Sequence, residues 1–173
     1  DMPQGMKVLE PYLNDPACLT TKRMEIERRL KGMETLKPGI IAPDFSLIDR
    51  DKTIFTLSTF RSEQKYILIV FWSADCSHCK ETIDVVYPWS LKAEVKQHLA
   101  IVAVSLDETE TEVAAWEKKS TELNGWKHLR ATEGINSKIA NDYFILATPV
   151  MVLLDAKTRK IIAMPGTPGE LAT

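Results

Sequence analysis

The chain has 173 residues, of which 45% are apolar and 27% are charged, and this length suits one domain or one domain with a helical extension. The 22 basic and 24 acidic residues give a formal net charge of −2, which argues against a nucleic-acid binder that works through bulk positive charge. Three cysteines are too few for a disulfide scaffold, and the longest dense apolar run, Tyr66–Trp72, is far shorter than the ~20 residues of a membrane-spanning helix. Because the first residue is Asp1 rather than Met, we expect a fragment or a processed form, whose lack of a secretory signal says nothing about its compartment.

Residues 1–36 are predicted to form a helical lead-in, which could be the tail of an upstream domain. Asp15 and Pro16 have the types expected at an N-cap and at the first helical position. Lys37-Pro38-Gly39 is expected to end this helix. One helical stripe carries its apolar residues, namely Leu19, Ile26, Leu30 and Met33.

From residue 40 onward, predicted strands alternate with predicted helices. Residues 66–72 are apolar throughout, which is typical of a central strand covered on both faces. The predicted strands are 45–48, 53–57, 66–72, 101–106, 150–154 and 160–164, and the predicted helices are 77–98 with a kink or break at Pro88, the stretch that Thr109 and Glu112 open as a capping box, and 137–144. Residues 167–170 have the types that start a helix, so we expect the full-length protein to have a final helix that is missing or disordered here. This order predicts a mixed α/β sheet.

The motif that carries chemistry is Cys76-Ser77-His78-Cys79, which follows the buried strand and opens a helix. Two thiols at this spacing can close into a disulfide with little movement of the backbone. The helix N-terminus stabilises a thiolate on the first cysteine, and the thiolate is the nucleophile of thiol–disulfide exchange. Cys76 is therefore the candidate attacking thiol, and Cys79, one turn inside the helix, is the candidate resolving thiol.

Other interpretations of the cysteine pair are a structural zinc site, an inert buried pair and a copper-carrying pair. Zinc needs further ligands, and only Cys18 and the three histidines remain. A copper carrier would favour methionine ligands close to the thiols, and no methionine cluster accompanies this pair. We expect His98 and His128 to be ordinary surface or boundary residues, and Trp72 to be either a platform beside the dithiol or part of the core. A protonated His78 is expected to stabilise the Cys76 thiolate further.

Thr148-Pro149 comes just before a predicted strand, about seventy residues after the cysteine pair. A cis peptide bond there would bring its backbone edge beside the dithiol, where the N–H and C=O of Thr148 could pair with an extended substrate segment. An ordinary trans bond is the general expectation for proline, and only the upstream cysteine pair favours cis here.

Three separated motifs occur in an order that resembles the thioredoxin fold. They are 42–47 (APDFSL), 70–80 (VFWSADCSHCK) and 147–150 (ATPV) with 153–155 (LLD). Within that fold, residues 40–173 are most similar to the TlpA/ResA-like thiol–disulfide oxidoreductases of bacterial cell envelopes. The resemblance implies a thioredoxin-like domain over 37–173, with a central mixed sheet flanked by helices. It also implies Cys76 as nucleophile, Cys79 as resolving thiol and Pro149 as a cis-proline.

The sequence departs from that pattern at the usual carboxylates. Many family members carry a glutamate three residues after the second cysteine, where this chain has Thr82, and thioredoxin has a buried aspartate where this chain has Val70. Glu81 is adjacent, but on a helix it points about 100° away from position 82. Neither usual proton acceptor for the resolving thiol is therefore in place.

The function predicted from the sequence is exchange of disulfides with protein substrates, with re-reduction by an upstream redox partner. No organic cofactor and no metal is required. The resemblance implies a location in the bacterial cell envelope or periplasm. One alternative is a peroxiredoxin-type peroxidase, although Ile69 stands where that family has proline. The other is a non-catalytic metal-carrying or binding module on the same scaffold.

Overall fold

The computed structural model describes residues 2–17 and 20–171. Cys18, the third thiol, and Leu19, part of the predicted apolar stripe, lie outside the described residues, as does the side chain of Met33. The helices are α1 (Met2–Leu13), α2 (Thr20–Thr35), α3 (Ser77–Ser90), α4 (Ala93–Lys96), α5 (Glu110–Glu122) and α6 (Lys138–Asp142), with 3₁₀ turns at Gly134–Asn136 and Pro168–Leu171.

The described residues contain seven strands in one sheet, which is mixed, as the sequence predicts. They are β1 (Ser46–Asp49), β2 (Ile54–Thr56), β3 (Tyr66–Trp72), β4 (Leu99–Ser105), β5 (Lys127–Arg130), β6 (Val150–Asp155) and β7 (Ile161–Ala163). Their order across the sheet is β2-β1-β5-β4-β3-β6-β7. The pairs β3–β4 and β4–β5 are parallel, and the remaining neighbours are antiparallel.

The central strand β3 is buried on both faces, which explains why it is apolar throughout. Alternate side chains of a strand point to opposite faces, so β3 feeds two separate core layers. Ile67, Ile69 and Phe71 belong to one buried cluster, while Leu68, Val70 and Trp72 belong to the other. Helix α3 packs in the second layer, and this places the start of α3 above the carboxyl end of β3.

Strand β5 and the environment of His128 differ from the sequence prediction. Strand β5 was not predicted, because its residues 127–130 (KHLR) show no apolar run; it forms by pairing with β1 and β4. His128 in this strand is buried, whereas the sequence suggested a surface or boundary position. The predicted helix 77–98 breaks near Pro88, as expected, because proline lacks the N–H that would continue the helical hydrogen-bond ladder. Helix α3 ends at Ser90, two residues after Pro88, and α4 begins at Ala93.

The N-terminal segment contains two helices, whereas the sequence pointed to one start at Asp15 and Pro16. The Asp15 carboxylate does accept a hydrogen bond from the N–H of Ala17, at 2.8 Å, but α2 begins only at Thr20. Helix α2 ends at Thr35, before Lys37-Pro38-Gly39, as expected. Leu30 and Leu36 are buried, so α2 is joined to the rest of the fold.

Candidate active site

The cysteine pair lies at the start of α3, directly after the central strand. Cys76 is the N-cap residue of this helix, with extended backbone angles, and its Sγ accepts a hydrogen bond from the N–H of Cys79 at 3.1 Å. Cys76 and Cys79 form a disulfide in this structure, with their Cα atoms 5.1 Å apart. The first cysteine therefore occupies the position where unpaired helix N–H groups can stabilise a thiolate.

The two sulfur atoms differ in their access to solvent. Cys79 is 0% exposed and packs in the second core layer with Trp72 and Ile83. Cys76 is half-buried and only borders that layer. A protein disulfide approaching from outside can reach Cys76 but not Cys79, which is the asymmetry that an attacking and a resolving thiol require.

The Thr148–Pro149 peptide bond is cis, as the sequence motif suggested, and it lies beside the first cysteine. The Cys76 Sγ atom is 3.6 Å from the main-chain oxygen of Thr148. The sheet explains this proximity, because β6 runs antiparallel to β3 and pairs Val150 with Phe71. The start of β6 and the end of β3 therefore lie at the same edge of the sheet.

The supporting residues proposed from sequence occupy different environments. Trp72 is 1% exposed and belongs to the same buried cluster as Cys79, so it packs under the dithiol as part of the core. His78 lies at the surface, with 80% of its side chain exposed, and its Nδ1 is 3.2 Å from the Oε2 of Glu81. The imidazole is thus paired with an exposed carboxylate on the next turn of α3.

The positions of the two usual carboxylates hold buried uncharged side chains, Val70 and Thr82. A different carboxylate, Asp107, lies under the loop between β3 and α3 and is 0% exposed. It accepts hydrogen bonds from the Oγ of Ser73 at 2.5 Å and from the N–H of Ala74 at 3.0 Å. The Oγ of Ser105 also donates to it, at 2.6 Å.

Sequence reasoning missed Asp107, although one signal could have found it. The residue follows β4, and parallel neighbouring strands end at the same edge of a sheet. β3 and β4 are the two most apolar strands in the sequence. The polar residues that directly follow them could therefore have been expected to lie close together.

Within the described part of the chain, no cluster of three or more histidine, cysteine, aspartate or glutamate side chains is arranged to hold a metal ion. None of the described helices combines the length and apolar character that a bilayer crossing demands.

Comparison with known proteins agrees with this geometry. A family model described as thioredoxin-like matches residues 64–161. The thioredoxin domain of a thiol-disulfide oxidoreductase from Bacteroides vulgatus is 26% identical, with a TM-score of 0.65 over 79% of this chain and 93% of that one. A thiol-disulfide oxidoreductase from Bacteroides fragilis is 27% identical, with a TM-score of 0.63 over 76% of this chain and 97% of that one.

One solved structure extends the likeness of fold to the N-terminal helices. A thioredoxin-like protein from Bacteroides caccae, 20% identical, covers 99% of this chain with a TM-score of 0.75, while this chain covers 60% of that protein. A search of curated proteins finds no match. The similarity to TlpA/ResA-like proteins seen in the sequence motifs is consistent with these findings.

Proposed function

Because this chain belongs to the thioredoxin-like family, we propose that it is a thiol–disulfide oxidoreductase that exchanges disulfides with protein substrates through Cys76 and Cys79. The observation that carries the proposal is the position of Cys76. Its sulfur is at a helix N-cap, accepts the Cys79 N–H and lies 3.6 Å from the carbonyl oxygen of Thr148. The partner thiol is buried directly behind it.

In the reducing direction, the Cys76 thiolate attacks one sulfur of a substrate disulfide. A mixed disulfide forms, and the other substrate sulfur leaves as a thiolate that takes up a proton. Cys79 then loses its proton and attacks the Cys76 sulfur, which forms the 76–79 disulfide and releases the second substrate thiol. The reduced protein has given two electrons to the substrate; one of the two protons comes from Cys79 and the other from solvent, which took up the Cys76 proton when the thiolate formed. A reduced dithiol on an upstream redox partner restores the Cys76–Cys79 dithiol by the same exchange.

A polypeptide substrate fits this site better than a small disulfide, since main-chain groups are available beside the nucleophile. We assign Thr148 and Pro149 to substrate binding, with an extended substrate segment pairing with the backbone of Thr148. Trp72 supports the dithiol from the core side, and His78 acts through its charge on the Cys76 thiolate.

Mechanism-based trapping tests the proposal. In a Cys18→Ser background, which removes the third thiol, Cys79→Ser leaves the mixed disulfide on Cys76 unresolved. We expect this variant to retain a disulfide-bonded model protein substrate that dithiothreitol releases. Cys76→Ser is the matched control and should retain nothing. Capture by Cys76→Ser but not by Cys79→Ser would reverse the two roles.

The alternative functions give different results in simple assays. Consumption of peroxide with dithiothreitol as reductant, without reduction of protein disulfides, would indicate a peroxidase. Stoichiometric retention of Cu(I) after dialysis, without exchange activity, would indicate a metal-carrying module. For the oxidoreductase we expect reduction of a protein disulfide and neither of these results.

We further propose that the protein works in the bacterial cell envelope or periplasm. The support is its similarity to TlpA/ResA-like proteins and to Bacteroides thiol-disulfide oxidoreductases. Cell fractionation with immunodetection tests this location, and recovery with cytosolic marker proteins alone would contradict it.

A further inference from the structure

We infer that Asp107 is a positioning residue that holds the loop carrying the nucleophile, an inference that rests on the proposed function. Its carboxylate is fully buried and receives hydrogen bonds from Ser73 Oγ, the Ala74 N–H and Ser105 Oγ. The first two donors belong to the short loop between β3 and α3. Asp107 therefore ties that loop to the end of the neighbouring strand β4.

The hydrogen bonds of Asp107 to the loop also affect the position of Cys76, through the backbone of Ser73. The N–H of Cys76 donates to the carbonyl oxygen of Ser73 at 3.3 Å, so the residue that Asp107 anchors also holds the cysteine. Removing the Asp107 carboxylate frees Ser73 and Ala74, and the turn that aligns the Cys76 Sγ with the Cys79 N–H is then held less firmly. Loss of that alignment removes the helix N-terminal stabilisation of the thiolate.

Asp107 is itself held firmly, as a positioning residue must be. Its N–H donates to Ser105 Oγ at 3.1 Å, and its carbonyl oxygen accepts from Arg130 Nη1 at 3.2 Å. Since Arg130 lies on β5, which pairs with β4, the anchor is attached to two strands of the sheet. Burying a carboxylate is unfavourable unless its hydrogen bonds are made, and those to Asp107 come from the dithiol loop and from Ser105.

A second buried carboxylate, Asp49, provides a matched control. It accepts hydrogen bonds from the N–H and Oγ of Thr53 and from Lys127 Nζ. None of these partners belongs to the dithiol loop. Its substitution therefore reports the general cost of disturbing a buried carboxylate.

The experiment uses the reduced full chain and measures alkylation of Cys76 and Cys79 by iodoacetamide at mildly acidic pH, with peptide mass spectrometry. We expect Asp107→Ala to lower the ratio of Cys76 to Cys79 alkylation about tenfold, which is the scale of a lost hydrogen bond to a charged group. The equilibrium constant with glutathione should shift toward the protein disulfide.

The control variants keep part or all of the anchoring contacts. Asp107→Asn, whose side-chain oxygen can still accept the Ala74 N–H, should keep the alkylation ratio within about threefold of that of the unsubstituted chain. Asp49→Asn should leave the ratio unchanged.

The outcomes separate positioning from general stability. If Asp107→Ala changes the ratio no more than Asp49→Asn does, the inference is wrong. An equal loss in Asp107→Asn and Asp107→Ala would also overturn it, in favour of a requirement for the charge. If Asp107→Ala does not fold, Ser73→Ala removes one anchoring bond and should still lower the ratio. Alkylation needs no substrate, so these results stand apart from success or failure of the exchange assay.

Discussion

At the scale of single residues, the two cysteines of the pair should differ sharply in reactivity. Cys76 sits at the helix N-cap and is half-buried, whereas Cys79 is fully buried in the second core layer. We expect iodoacetamide at mildly acidic pH to label Cys76 of the reduced protein well before Cys79. Peptide mass spectrometry over a time course measures this difference, and equal labelling rates would remove the basis for a catalytic dithiol.

His78 and Glu81, which form an exposed pair, should shift the reduction potential of the Cys76–Cys79 disulfide in opposite directions. A protonated imidazole favours the Cys76 thiolate, and Glu81, with Oε2 3.2 Å from the ring nitrogen, offsets that charge. We expect His78→Pro to lower the reduction potential and Glu81→Gln to raise it, since a more stable thiolate stabilises the reduced form. Because both side chains are exposed and screened, each shift should be about 10–30 mV.

Equilibration with glutathione measures both potentials. Lys80→Gln, at the position next to Glu81, serves as the control for a change of charge on the same helix. Lys80 is paired with Asp84 rather than with His78. Shifts of the same sign in the His78 and Glu81 variants would show that the two residues do not act through their charges.

At the scale of secondary-structure elements, α2 supports the segment that leads to Pro149. The Arg28 guanidinium donates to the carbonyl oxygens of Ala140 and Ile145, each at 3.3 Å. Gly32 lies so close to Phe144 that a Cβ at this position would be 2.7 Å from the Phe144 Cβ. Helix α2 and the segment before Pro149 are therefore in direct contact.

This contact predicts an unusual effect of Gly32→Ala. Alanine in a helix is favoured over glycine by about 1 kcal/mol, so the change would stabilise an unobstructed helix. Here the added methyl group meets Phe144, and we expect a net loss of about 1–3 kcal/mol together with slower reduction of protein disulfides. Lys31→Ala, at an exposed neighbouring position, should affect neither property. Thermal unfolding and the exchange assay measure the two effects, and a stabilised Gly32→Ala variant would contradict the close packing.

Elements were predictable where local sequence determines them. The apolar run Tyr66–Trp72 identified the central strand, and the capping box of α5 forms as predicted, with Thr109 Oγ accepting from the Glu112 N–H. Strand β5 was missed because its existence depends on pairing with β1 and β4, which no local pattern of its four residues reveals. The cysteine pair was evident from its spacing, whereas Asp107 depends on the register of β3 and β4.

At the scale of the whole molecule, the sheet order creates the candidate site. The central strand β3 lies between β4 and β6, parallel to the first and antiparallel to the second. The ends of β3 and β4 and the beginning of β6 therefore meet at one edge of the sheet. That edge brings together Cys76, Asp107 and Thr148, which are separated by up to 72 positions in the chain.

The buried His128 should make the stability of the whole fold sensitive to mild acid. Burial lowers its pKa, and the nearby Arg50 lowers it further, against the hydrogen bond to Leu123. The Nε2 atom is 2.9 Å from the Leu123 carbonyl oxygen. Among the described residues, no acceptor lies within hydrogen-bond distance of the buried Nδ1, so the second N–H of a protonated ring would have no partner there. Protonation is therefore favoured in the unfolded chain, where the histidine pKa is about 6.5.

Because the folded pKa lies below the unfolded one, the unfolded state binds more protons as pH falls below about 6.5, and stability decreases there. We expect the free energy of unfolding to fall by up to about 1.4 kcal/mol per pH unit from this one group, until the folded pKa is reached. His128→Gln, which can still donate to Leu123, should remove that part of the slope. His98→Gln, at an exposed position, should retain it. Urea unfolding at several pH values between 7 and 5 measures the slope, and equal slopes in the unsubstituted and His128→Gln chains would show that another group takes up the proton.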